Sequence, residues 1–110
     1  MNRVSTLTIP ATALLFFLPL AGCLFAAGTG HENFKNMMQS NVGKSMDDPY
    51  VYRNRYRSLL MGTRELPNGN IEEKFNRHPR CPVFFEIDKK ARTIVGWRYE
   101  GTDHDCVIVP

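Results

Sequence analysis

The residues able to do chemistry in this sequence fall into a few small groups, and each is weighed by type and spacing. "DHDC", Asp103 to Cys106, sets a thiol beside an imidazole and two carboxylates, the donor types that zinc or copper takes. Immediate neighbours converge on one ion only in a special loop, and no second donor cluster completes a site, so no metal is expected. A paired general acid and base needs two carboxylates facing one cleft. Glu72 and Glu73 are adjacent, and a strand turns adjacent residues to opposite faces. Ser40, Ser45 and Ser58 stand in no nucleophile motif. His31, His78 and His104 fall in a linker, a turn and a tail, where solvation is their simplest fate. Neither catalysis nor a cofactor is expected.

Cys23 belongs to a different chemistry. Arg3 is the only charge before it, followed by the uncharged run "ATALLFFLPLA" from Ala11 to Ala21 and then Gly22. A positive start, a short apolar centre and a small-residue end describe a secretory signal peptide over residues 1–22. A spanning helix needs about 20 apolar residues; this run is shorter and Pro19 interrupts it. Leu20-Ala21-Gly22-Cys23 resembles the lipobox of bacterial lipoproteins. The resemblance implies cleavage before Cys23 and lipid on its sulfur and its new amino group. Two or more acyl chains make a stable anchor, at about 0.8 kcal/mol per buried CH₂. In the sorting of such lipoproteins an aspartate after the cysteine favours the inner membrane. Leu24 stands here, which implies the periplasmic face of the outer membrane.

Export changes the meaning of the other two cysteines. In an oxidising compartment the even pair Cys81 and Cys106 reads as a disulfide, worth roughly 3.5 kcal/mol in the chain-entropy picture. That share is large, because a chain this small buries only about 60–65% of its unfolded surface. The whole chain has 14 Lys+Arg against 11 Asp+Glu, a mild excess unlike a nucleic-acid binder, and export argues against nucleic acid as well. The cations gather in "YRNRYR", where Arg53, Arg55 and Arg57 interleave with Tyr52 and Tyr56. Arginines near an anionic membrane gain on the order of 1 kcal/mol each, their forks match phosphate, and tyrosine suits the headgroup zone. The three arginines are therefore candidate anionic-lipid contacts.

The elements that must position these residues follow from periodicity. Residues 23–30 form a lipidated cysteine and a flexible tether with a reach of about 15 Å, and 31–110 a single small domain. Thr29 and Glu32 carry the capping-box spacing, and Phe34, Met37 and Met38 fall at i, i+3, i+4, which predicts an amphipathic helix from about His31 to Asn41, stopped near Gly43. In 46–60, Asp48 and Pro49 suit the start of a second helix that aligns Tyr52, Tyr56 and Leu60. The aromatic and β-branched content argues equally for irregular chain, so a loop with at most a turn of helix is expected.

From Thr63 the period becomes two. Asn68-Gly69 marks a turn between "TREL" and "IEEKF", and "VFFEI" and "TIVGWRYE" make two more strands. Pairing Ile87 with Thr93 sets Phe85 opposite Val95, Val83 opposite Trp97 and Cys81 opposite Tyr99. Gly101 then permits a turn that brings Cys106 back to Cys81. The predicted core is Phe34, Met37, Ile71, Phe75, Val83, Phe85, Ile87, Val95 and Trp97. Glu72, Lys74, Glu86 and Arg98 fall on a wet face, although Phe84 and Ile94 break the alternation. The expected class is α+β: a short N-terminal helix packed on a three- to four-stranded antiparallel sheet.

A lipidated cysteine, a short linker, helix-forming sequence reaching "VGKS" and then an antiparallel meander resemble the small barrel-assembly lipoproteins of the SmpA/OmlA (BamE-like) type. "DDPYVYRNRYR" departs from that layout, which has a second clear helix there. "LPNGNIEEKF", "CPVFFEID" and "IVGWRYEG" are similar to a wider group of small proteobacterial lipoproteins, from which no functional residue carries over. The resemblance implies a non-catalytic lipoprotein that binds an envelope protein partner in outer-membrane assembly or maintenance. The alternative is an inhibitor or immunity-type lipoprotein acting on a periplasmic or cell-wall hydrolase.

Overall fold

Thr29 opens the first helix as its N-cap, its hydroxyl accepting from the Glu32 N–H at 3.1 Å. The computed structural model describes residues 29–109, so the expected signal peptide over 1–22 and the expected lipidation site Cys23 lie outside the described residues. The elements are α1 (Gly30–Gln39), the four-residue α2 (Tyr52–Arg55), a 3₁₀ turn (Arg57–Leu59), β1 (Leu60–Glu65), β2 (Ile71–His78), β3 (Cys81–Asp88) and β4 (Thr93–Tyr99). The strands form one antiparallel sheet in the order β1-β2-β3-β4, and with the short helix they make an α+β fold.

The β1–β2 turn follows from its residues. The Leu66 N–H donates to the Asn70 carbonyl at 2.8 Å and the Gly69 N–H to the Leu66 carbonyl at 2.9 Å. Gly69 closes the turn at φ 87°, a conformation a side chain disfavours, as a three-residue hairpin loop demands. In β2–β3, Ile71 pairs with Ile87, Glu73 with Phe85 and Phe75 with Val83. These six residues share the inner face.

The register of β3 and β4 differs from the expected one. Val83 pairs with Tyr99, Phe85 with Trp97, Ile87 with Ile94 and Asp88 with Thr93, with an irregularity next to Ile87. The extra residue is a β-bulge, and it explains the broken alternation. Ile94 and Trp97 both face inward although they stand three positions apart, an offset that uniform alternation would put on opposite faces. Val95, placed in the core by uniform alternation, is 44% exposed, whereas Ile94 is buried.

The core joins Phe34 and Met38 of α1, Val51 and Tyr52, and Phe75, Val83, Phe85, Ile87 and Ile94 of the sheet. Met37 and Trp97 are only partly buried against it, and Ile71 is half-buried. Phe34 meets Trp97 and Tyr99 edge-on at 5.8 and 5.4 Å between ring centres. The middle segment behaves as the irregular alternative: Asp48 caps a turn, accepting from the Tyr50 N–H at 2.8 Å, and the short helix begins only at Tyr52.

The Cys81–Cys106 disulfide is formed, with Cα atoms 5.4 Å apart and both residues fully buried. Cys81 faces His78 across the β2–β3 turn rather than Tyr99. Gly101, at φ 126°, lies so close that any Cβ would strike the Arg80 carbonyl. The bond pins the C-terminal tail to the start of a central strand.

Candidate functional site

Two adjacent glutamates organise the polar chemistry of this sheet. Glu73 falls on the inner face between Ile71 and Phe75, and only 4% of it is exposed. A carboxylate buried there is costly unless a cation reaches it with good geometry. Arg53 supplies this: its Nε donates to Glu73 Oε1 at 2.7 Å and its Nη2 to Oε2 at 3.0 Å. The remaining Nη1 donates to the Met46 carbonyl at 2.7 Å and to Asn54 Oδ1 at 3.2 Å. Arg57 adds a third donor to Glu73 Oε2 at 3.2 Å.

Glu72 turns to the outer face, where Arg98 grips it with Nε at 3.0 Å and Nη2 at 2.9 Å, and Arg64 adds its Nε at 3.1 Å. The hydrogen bonds from Arg98 hold the Glu72 carboxyl below the usual carboxylate range, with those from Arg64 acting the same way against the opposing effect of burial. The outer face is therefore not simply wet, because Glu72 is buried. So is Phe84, under the guanidinium of Arg98 at 3.8 Å and the ammonium of Lys74 at 5.7 Å. A shallow groove of about 390 Å³ runs over these residues, bordered on the β1 side by Gly62, Thr63 and Arg64.

The three arginines of "YRNRYR" do not act together. Arg53 is buried with every guanidinium nitrogen engaged inside the protein, so it offers nothing to a lipid phosphate. Arg57 is half-exposed and shared with Glu73; Arg55 is exposed beside the Tyr56 ring. Tyr52 is a core residue packed on Phe75, Phe85 and Tyr56. Its hydroxyl finds no hydrogen-bond partner among the described residues, and burial pushes its pKa up to about 12.

His31, expected in solvent, opens α1 and ties it to the tail. A carbonyl can only accept, so Nδ1 carries the proton and donates to the Cys106 carbonyl at 2.8 Å. Nε2 lies 3.3 Å from Asp103 and 3.4 Å from the Tyr99 hydroxyl. The Ile108 N–H donates to the Gly30 carbonyl, and Arg77 Nη1 to that of Val107, both at 2.9 Å. His78 and His104 are exposed. Cys106 spends its sulfur on Cys81, and among the described residues no group of three His, Cys, Asp or Glu side chains is arranged to hold a metal ion.

Of two structural residues that types and motifs alone passed over, one carried a sequence signal. In "IEEKF", Glu73 lies two residues from Ile71 and from Phe75, so a buried strand face must contain it, and the nearby arginine run is the matching cation. Asn41 gave no such signal. It is buried, donates to the Met37 and Met38 carbonyls and accepts the Tyr52 N–H at 2.7 Å, joining the end of α1 to the start of α2.

No helix among the described residues is long and apolar enough to cross a membrane. Comparison with protein-family models, with curated proteins and with solved structures finds no match to this chain.

Proposed function

We propose that this chain is a lipid-anchored envelope protein whose domain acts by binding a protein partner in assembly or maintenance of the outer membrane, not by catalysis. The observation that carries the reading is Leu20-Ala21-Gly22-Cys23 at the end of a short uncharged run. In this reading residues 1–22 are removed, Cys23 is lipidated, and α1 rests over the inner face of the sheet in a layout resembling the SmpA/OmlA type. The side chains of the domain support it. Glu72 and Glu73 are each neutralised by arginines, Cys81 and Cys106 hold each other, and His31 secures the tail. What remains accessible is surface. Arg55, and Arg57 through the nitrogens it does not give to Glu73, are the members of the arginine run left to meet anionic headgroups.

The test is expression in a bacterium with two membranes, with radioactive palmitate and affinity capture from detergent-solubilised envelope. Cys23→Ala should abolish the label and leave uncleaved precursor, and the wild-type chain should bring down assembly components. A variant that matures and takes up lipid normally would refute the anchor. Capture of a cell-wall hydrolase instead would move the function to inhibition.

A further inference from the structure

The sheet treats its two edges differently. Along β4, the segment 43–46 closes the outer side: the Gly43 N–H donates to the Ile94 carbonyl at 2.8 Å, the Ile94 N–H to that of Lys44 and the Met46 N–H to that of Arg92, both at 3.0 Å, and Ser45 bridges to Thr93. β1 has β2 on one side and, among the described residues, no strand on the other. Its residues from Met61 to Glu65 are all exposed, and Met61 leaves 62% of its surface in water.

The free groups on that edge can be identified. Leu66 and Asn70 are a hydrogen-bonded pair, and bonded and non-bonded pairs alternate along an antiparallel ladder. With Glu65 opposite Ile71, Arg64 opposite Glu72, Thr63 opposite Glu73 and Gly62 opposite Lys74, the alternation makes Arg64 and Gly62 bonded to β2. Thr63 and Glu65 therefore turn their N–H and C=O groups outward. Such a row is a template for another strand.

The charge beside this edge selects what joins it. Glu72 and Glu73 are neutralised by their arginines, whereas Lys74 is exposed and has no ion-pair partner among the described residues. Arg64 is 65% exposed and gives only its Nε to Glu72. Glu65 is the one exposed acid on the strand. A second copy of β1 would bring Arg64 toward like charge, so self-pairing is disfavoured.

We propose that the free edge of β1, from Met61 to Glu65, receives an extended acidic segment of the partner protein as a fifth strand. Its backbone meets the outward groups of Thr63 and Glu65, and its alternate carboxylates reach Arg64 and Lys74 at the mouth of the groove over Phe84. This inference rests on the reading that the domain binds a protein partner.

The probes are two fluorescent octapeptides, one alternating valine with glutamate and one alternating valine with lysine, titrated into the full mature chain in detergent. The glutamate peptide should bind, and the lysine peptide at least about tenfold more weakly, a gap of about 1.4 kcal/mol. Thr63→Pro removes an outward N–H while sparing the ladder to β2, a placement that edge strands tolerate. It should abolish binding and leave the thermal melt nearly unchanged. Lys74→Glu, which touches no outward backbone group, should reverse the preference between the peptides and covers the case in which Thr63→Pro fails to fold. Equal binding of the two peptides, or undiminished binding by a folded Thr63→Pro chain, would overturn the proposal. If wild type and Thr63→Pro capture the same envelope protein equally, the edge is wrong and partner binding stands; if wild type captures none, partner binding itself fails.

Discussion

Glu72 and Glu73 are neighbours of identical chemistry, each held by two arginines, yet they do different structural work. Glu73 looks into the core and is held by Arg53, which is itself buried. That pair joins an irregular segment to a strand twenty positions away, so it fixes tertiary structure. Glu72 looks outward and is held by Arg98 and Arg64, whose side chains are 44% and 65% exposed. Those contacts lace strands that the backbone ladder already joins. One residue of register thus separates an interaction that specifies the fold from one that shapes a surface. Water is the reason, since it screens the outer arginines and is excluded from the inner ones.

The largest effect should come from the inner pair. Arg53→Ala leaves a buried carboxylate without its main partner and should cost about 3–5 kcal/mol by urea unfolding. Replacing both members, Arg53→Met with Glu73→Leu, should recover most of that loss, because matched apolar groups avoid the desolvation of two charges. A double variant as unstable as the single one would mean that the pair contributes more than its charges.

Tyr52 offers a smaller change of opposite sign. A buried hydroxyl without a partner is costly, so Tyr52→Phe should raise stability by about 1 kcal/mol. Tyr52 also has a raised folded pKa, so the folded state holds the proton more tightly than the unfolded chain. Its contribution is whole below the ordinary value of 10 and is lost as pH rises toward about 12. Melts taken across that window should lose this part of the alkaline decline in Tyr52→Phe.

The outer cluster should respond least. Arg98→Ala should cost about 1 kcal/mol, since it uncovers Phe84 while Arg64 stays on Glu72. Arg64→Ala should cost about 0.5 kcal/mol or less. Glu72 has a lowered folded pKa, so its contribution is complete above the ordinary value of 4.5 and disappears as pH falls through the lower folded value. Glu72→Gln should therefore flatten the acid limb of the stability curve.

These contrasts also show what the sequence made legible. The Asn68-Gly69 hairpin, the period-two strands and the capped first helix each depend on local rules, and local rules can be read along a chain; the cysteine pair, 25 positions apart, was legible from its even count instead. The β4 bulge was encoded as a conflict between Ile94 and Trp97, which uniform alternation cannot satisfy, and the conflict was visible without its resolution. The arginine run was harder. Arg53, Arg55 and Arg57 look alike in sequence, and only the three-dimensional position of Glu73 sends one inward and leaves the others near water. His31 likewise gains its role from Cys106, Tyr99 and Asp103, all far along the chain, and no local pattern announces such partners. The proposal carried by Leu20 to Cys23 is different again: it concerns processing, which no contact of the folded domain reports, so its test is in the cell.

The contrast between the two faces is tested most directly by parallel double-mutant cycles in urea, one on Arg53 and Glu73 and one on Arg98 and Glu72, each residue changed to alanine. The inner pair should show a coupling of about 2–3 kcal/mol and the outer pair less than about 1 kcal/mol. Equal couplings, or a stronger one on the outer face, would contradict the division between a pair that specifies the fold and one that shapes a surface.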